Sequence, residues 1–160
     1  MKKILFVCLG NICRSPLAEA LMLEKITESD LTEQFKIDSC GTADYHIGEL
    51  PDERTRENAL KNGLELKHRA RQFETSDFNR FDHILVMDNA NKIKVIGQAT
   101  SEVHIQKVQL MRDFEPEAKL QGNDVPDPYY GGTEGFQNVY EILDRCTNSL
   151  LNYHLLAIEN

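Results

Sequence analysis

Ile4-Leu5-Phe6-Val7 is an unbroken apolar run that follows Lys3 near the start of the chain. A run without alternation predicts a strand over Lys3 to Val7, buried on both faces as in a parallel sheet. From Pro16 to about Glu28, Leu17, Ala20, Leu21 and Glu24 predict an amphipathic helix. Phe35 to Cys40 reads as a short second strand ending at Gly41, and a polar stretch follows to Asp52. Pro51 and Asp52 then start a helix that reaches Asn62-Gly63, where glycine is the stop signal. His68 to Gln72 is a basic loop. Phe81 to Met87 predicts a third strand, Asp88-Asn89 a helix cap, and the residues up to Ile96 a short helix. Val103 to Leu110 alternates enough to predict a fourth strand, and Met111 to Glu134 is a loop-rich stretch with three of the five prolines. Phe136, Val139, Tyr140, Leu143, Cys146, Leu150 and Tyr153 recur at helical spacing and predict a long closing helix.

Strand and helix thus alternate along the chain. The pattern predicts an α/β fold, a three-layer αβα arrangement with a four-stranded parallel sheet, in one domain spanning residues 1–160. In such sheets ligands bind beyond the carboxyl ends of the strands, so the loop after the first strand is the place to look for chemistry.

That loop reads Cys8-Leu9-Gly10-Asn11-Ile12-Cys13-Arg14-Ser15, followed by Pro16. A strand ending at Val7 and a helix starting near Arg14 leave the intervening amides unpaired and converging. Such a nest, at the positive end of a helix, binds anions. Gly10 allows a positive φ, Asn11 tolerates one, and Pro16 suits the first helical turn. Arg14 offers a planar fork of donors matched to two phosphate oxygens. Cys8 lies at the base of this positive field, which favours its thiolate, and Ser15 is placed to donate to the sulfur. The segment therefore predicts a phosphate-binding loop that carries its own nucleophile.

Composition narrows the context. The net charge of −8 argues against nonspecific binding to nucleic acid or anionic membranes. No segment approaches the roughly 20 apolar residues of a membrane helix, and the short apolar run after Met1-Lys2-Lys3 lacks a cleavage site for export. Four cysteines without an export signal predict a reducing, cytoplasmic setting. Cys8, Cys13, Cys40 and Cys146 lack metal-ligand spacing, so no metal or cofactor is expected.

Expelling an alcohol or phenol from phosphate requires a proton donor, which the nucleophile cannot also be. Val125-Pro126-Asp127-Pro128-Tyr129-Tyr130 offers one: two prolines stiffen a loop around a single aspartate, and the tyrosines can wall a pocket for an aromatic leaving group.

Cys8 to Pro16 together with Asp127-Pro128-Tyr129-Tyr130 resembles the low-molecular-weight protein tyrosine phosphatase family. Ile37-Asp38-Ser39, His68 with Ala70-Arg71, and Met87-Asp88 extend the likeness over the whole chain. The resemblance implies a metal-free phosphomonoesterase acting on phosphotyrosine proteins and small aryl phosphates through a phosphocysteine on Cys8. Arg14 and the amides of Leu9, Gly10, Asn11, Ile12, Cys13 and Ser15 bind the phosphate, and Asp127 is acid and then base. By the same likeness Asn11, Ser15, Ser39 and His68 support the loop, Asp88 is a further buttress, and Ile12, Tyr45, Tyr129 and Tyr130 form the walls. A reversible Cys8–Cys13 disulfide is expected on oxidation. Cys40 and Cys146 read as core residues. A cognate tyrosine kinase acting on Tyr129 or Tyr130 is a further expectation, and the oligomeric expectation is a monomer or weak self-association through exposed tyrosines.

Other functions compete. A thioredoxin-coupled arsenate reductase shares the loop but needs two more cysteines in a mobile segment, and residues 77–97 contain none. A phosphotyrosine-binding module needs neither Cys8 nor Asp127. A protein-arginine phosphatase, or an enzyme for a small phosphorylated metabolite, remains the third alternative, and Asp127-Pro128-Tyr129-Tyr130 leans towards aryl substrates.

Overall fold

A computed structural model describes residues 1–159, apart from the side chains of Tyr130, Ile158 and Glu159. Four strands, β1 (Lys2–Cys8), β2 (Phe35–Gly41), β3 (His83–Val86) and β4 (Val108–Leu110), form one sheet in the order β2-β1-β3-β4. All three pairings are parallel, with Cys8 opposite Gly41 and Val7 opposite both Cys40 and Val86. The expected α/β three-layer fold is borne out.

Because β1 is central, its two faces feed two separate apolar cores, which explains the absence of polar alternation in its sequence. Ile4 and Phe6 face α1 (Arg14–Glu28) and the closing helix, with Leu17, Leu21, Met22, Val139, Leu143 and Leu150. Leu5 and Val7 face the opposite layer, with Phe73, Phe78, Ile84, Val86 and Val95. Each such side chain, once fully buried, contributes about 1.5–3 kcal/mol.

The remaining helices are α2 (Glu53–Lys61), α3 (Asp77–Arg80), α4 (Asn89–Ile96), α5 (Glu102–Gln106) and α6 (Thr133–Glu159). Asp52 caps α2 by accepting from Arg54 N, and Gly63 just beyond it takes a φ of 82°. Asp88 caps α4 through Asn91 N at 2.7 Å. Three-residue 3₁₀ turns punctuate the loop before α6, including Pro128–Tyr130 directly after Asp127.

Two local expectations need correction. The segment from Val103 is not a strand: Ser101 accepts from His104 N and caps α5, leaving only Val108–Leu110 in the sheet. Val103 and Ile105 are exposed, so their alternation marks no buried strand face. The positive φ in the first loop belongs to Asn11, at 56°, and not to Gly10.

Candidate active site

Cys8 is the last residue of β1 and is buried at the base of the loop. Its Sγ lies 3.0 Å from Ser15 Oγ, and Asn11 N donates to it at 3.3 Å. A hydroxyl and an amide therefore converge on the sulfur.

Asn11 holds the loop in shape. Its Nδ2 donates to Ser15 Oγ at 2.7 Å and to Ser39 Oγ at 3.0 Å. Its Oδ1 accepts from Arg71 N at 3.1 Å and sits 2.9 Å from His68 Nε2. Four partners from three segments thus over-determine a residue whose left-handed backbone is otherwise costly. Space is tight beside it: a Cβ at Gly41 would come within 2.7 Å of Leu9 O. Glycine at the end of β2 is what lets the loop fold back against the strand.

Arg14 opens α1 and is almost completely buried. Nη1 donates to Asp88 Oδ2 at 2.7 Å and to Val125 O at 3.0 Å, while Nη2 lies 3.5 Å from Asp127 Oδ2. Burial opposes its charge, but the Cys8 sulfur and the carboxylates of Asp88 and Asp127 outweigh this and raise its pKa above the ordinary arginine value. Asp127 Oδ1 accepts from Tyr129 N at 3.0 Å, which fixes the carboxylate over the guanidinium.

These residues surround a cleft of about 230 Å³ lined by Cys8, Leu9, Ile12, Tyr45, Asp127 and Tyr129, among others. Gly10, Cys13 and Arg14 also line it; Asn11, Ser15 and Ser39 are buried behind the loop. His68 and Asp88 support from outside the cleft, on Asn11 and Arg14 respectively. The Tyr130 side chain lies outside the described residues. The arrangement offers an anion seat beneath apolar and aromatic walls, with a nucleophilic atom below and a carboxyl group at the rim.

Sequence reasoning missed one residue of the cleft lining and one packed on its aromatic wall. His46 lines the wall, its ring against Gly10 and its Nδ1 2.5 Å from Glu49 Oε2. A Cβ at Gly10 would approach His46 Cδ2 within 3.1 Å, which gives Gly10 a packing role in place of the conformational one. Arg54 lies over the Tyr129 ring at 5.2 Å and the Phe136 ring at 4.9 Å, and is steadied by both oxygens of Asp52. Neither residue carries a local motif; only the fold brings His46 to the cleft and Arg54 to its wall.

Residues 3–158 match the sequence profile of the low molecular weight phosphotyrosine protein phosphatases. The chain belongs to that family. A family member from Schizosaccharomyces pombe, a low molecular weight phosphotyrosine protein phosphatase, is 43% identical over 150 residues, covering 92% of this chain and 94% of its own. The crystal structure of a protein tyrosine phosphatase from Entamoeba histolytica superposes with a TM-score of 0.92 at 41% identity, covering 98% of this chain and 99% of that one. A Drosophila arginine phosphatase structure also superposes, with a TM-score of 0.87 at 29% identity over 96% of this chain and 98% of that one. The likeness expected from the two motifs therefore extends over nearly the whole sequence, and the family fold accommodates more than one named activity.

Proposed function

We propose that the chain hydrolyses phosphotyrosine in proteins, and small aryl phosphates, through a phosphocysteine. The observation that carries this reading is the meeting of Cys8, Arg14 and Asp127 in one aromatic-walled cleft. Cys8 thiolate attacks phosphorus while Asp127 passes its proton to the departing phenolic oxygen, leaving phosphate bound to sulfur and a free phenol. Asp127, now ionised, takes a proton from water as the water oxygen attacks phosphorus. Thiolate is expelled and inorganic phosphate leaves. Arg14 and the amides of Leu9 to Ser15 stabilise the equatorial oxygens in both steps, the electrostatic part of the catalysis. Ser15 Oγ, 3.0 Å from the sulfur, supports the thiolate as leaving group. Acid, base and nucleophile are all side chains, so the scheme calls on no metal or cofactor.

The walls support the aryl preference. Ile12, Tyr45 and Tyr129 present apolar and aromatic surface above the anion seat, suited to packing against a phenyl ring. The partners we infer are phosphotyrosine proteins, and an acidic chain does not favour nucleic acid. No helix among the described residues is long and apolar enough to cross a membrane. Four free cysteines support a reducing, cytoplasmic setting. Tyr129, exposed on the acid loop, is accessible to a cognate tyrosine kinase.

The test is turnover of p-nitrophenyl phosphate in reductant and chelator, beside Cys8→Ser, phosphoarginine and arsenate. Aryl phosphate hydrolysis lost in Cys8→Ser supports the proposal. Faster turnover of phosphoarginine, or thiol-dependent arsenate reduction without phosphatase activity, replaces it.

A further inference from the structure

Two ion pairs flank the cleft, and they show solvent opposite charges. His46 Nδ1, in the lining, meets Glu49 Oε2; the histidine side chain is 28% exposed and the glutamate 59%. Arg54, packed on the Tyr129 wall, meets Asp52; here the arginine is 43% exposed and the aspartate 13%. The first pair turns its carboxylate outward and the second its cation. Building on the phosphotyrosine hydrolysis proposed above, we propose that Arg54 binds a carboxylate of the substrate, so that the favoured sites are phosphotyrosines with an acidic residue close by in the chain.

The arginine is held ready for this. Asp52 N donates to Ile12 O at 2.8 Å, which joins the start of α2 to the phosphate loop. Asp52 Oδ1 accepts from Arg54 N at 2.9 Å and from Nε at 3.1 Å, and Oδ2 accepts from Nη2 at 3.1 Å. Burial opposes the charge on Asp52, but these bonds outweigh it and hold the carboxyl below its ordinary range, so the pair stays charged. The guanidinium also lies between the rings of Tyr129 and Phe136. A side chain fixed in this way has already given up the rotamer freedom that a new contact otherwise costs.

Asp52 engages two of the three guanidinium nitrogens. Nη1, with two N–H donors, has no hydrogen-bond or ion-pair partner among the described residues. One guanidinium can hold two carboxylates at once, and this chain contains an example. Arg71 donates through Nε to Asp38 at 3.0 Å and through Nη1 and Nη2 to Asp77 at 3.1 Å each. Arg54 repeats the first half of that arrangement and leaves the second open. Its support, the Tyr129 ring, is also the wall against which the substrate ring packs, so the carboxylate that reaches Nη1 belongs to a residue near the phosphotyrosine. The net charge of −8 gives acidic peptides no general attraction, and any preference for them is local.

The experiment measures kcat/KM of full-length protein on phosphotyrosine peptides that differ only by glutamate or glutamine, placed in turn at the two positions on either side of the phosphotyrosine. Phenyl phosphate is the reference substrate. At one or more positions the glutamate peptide is expected to be favoured about two- to fivefold, the scale of an exposed ion pair, and the advantage to shrink as salt is raised. Arg54→Gln is expected to bring the glutamate-to-glutamine ratio to about one, and His46→Gln to preserve it. The ratio cancels any change in the wall that both peptides share, so it separates charge recognition from packing. Three outcomes overturn the inference while phenyl phosphate is still hydrolysed: equal rates at every position, a preference that persists in Arg54→Gln, or one that vanishes in His46→Gln. If the wild-type protein hydrolyses neither phenyl phosphate nor any peptide, the proposed function fails, and this inference with it.

Discussion

Arg14 Nη1 and Asp88 Oδ2 lie 2.7 Å apart, so the phosphate clamp at the head of α1 is aimed by the residue that caps α4. The two roles of Asp88 separate by substitution. Asparagine caps a helix as well as aspartate does, but it cannot hold a guanidinium by charge. In Asp88→Asn, kcat for an aryl phosphate is expected to fall about tenfold or more, on the scale of one charged hydrogen bond. Urea denaturation is expected to move little. A large loss of stability with unchanged kcat contradicts the assignment.

Asp127 is expected to matter in proportion to the need for a proton. Asp127→Asn should lose about 10² to 10⁴ in kcat on phenyl phosphate, the usual worth of a general acid. The loss should be smaller on p-nitrophenyl phosphate, whose phenol departs more readily. Equal losses on both substrates exclude proton donation as its role.

Arg54 acts on the cleft wall. Without the cation over Tyr129 and Phe136, the acid loop keeps its backbone bonds but loses a stacking support. Arg54→Ala is expected to raise KM for aryl phosphates about two- to fivefold with kcat nearly unchanged. A fall in kcat at constant KM argues that Arg54 touches the chemistry instead.

Cys13 shares the cleft lining with Cys8 and is buried, which pushes its thiol pKa up to about 12 against partial opposition from the Thr55 hydroxyl. It therefore stays protonated beside reduced Cys8, and it closes a disulfide on a Cys8 sulfenic acid by giving up its proton to the hydroxyl that departs as water. After peroxide, thiol is expected to restore most of the wild-type activity and much less of Cys13→Ser activity, whose Cys8 proceeds to sulfinic acid. Equal recovery in both proteins sinks the protective role.

His154 on α6 sets an acid limit on stability. It is buried against Phe35, Tyr153 and His83, with Nε2 lacking a hydrogen-bond partner. Burial, helped by the charges of His83 and Lys2 and opposed by Asp82, lowers its pKa to about 4. The unfolded chain binds this proton near pH 6.5 and the folded chain only near 4, so stability is lost as pH falls through that window, by an amount on the order of 2–3 kcal/mol. Thermal melts of His154→Phe are expected to decline less steeply than wild type between pH 6.5 and 4. Parallel declines remove His154 from the account.

The features readable in the sequence are those written in consecutive residues. Cys8 to Pro16 sits in one strand-to-helix junction, and Asp127 stands between prolines, so each could be found without knowing what it touches. Val103 and Ile105 misled because alternation alone does not say whether a face is buried; the Ser101 cap decided the segment. Gly10 was assigned a conformational role that belongs to Asn11, since the packing of His46 is visible only after residues 10 and 46 meet. His46 and Arg54 are placed by long-range packing, and no spacing in the chain announces them.

One bond described above bears on how the cleft is entered. Val125 N donates to Met87 O at 2.8 Å while Val125 O accepts from Arg14, so the strip carrying Asp127 is riveted to the sheet edge and to the clamp at once. The start of the acid loop is thereby tied to Met87, just past β3, and to Arg14 at the head of α1. Peptides whose phosphate stands on a long, flat stem are accordingly expected to be turned over, and those with a short stem not.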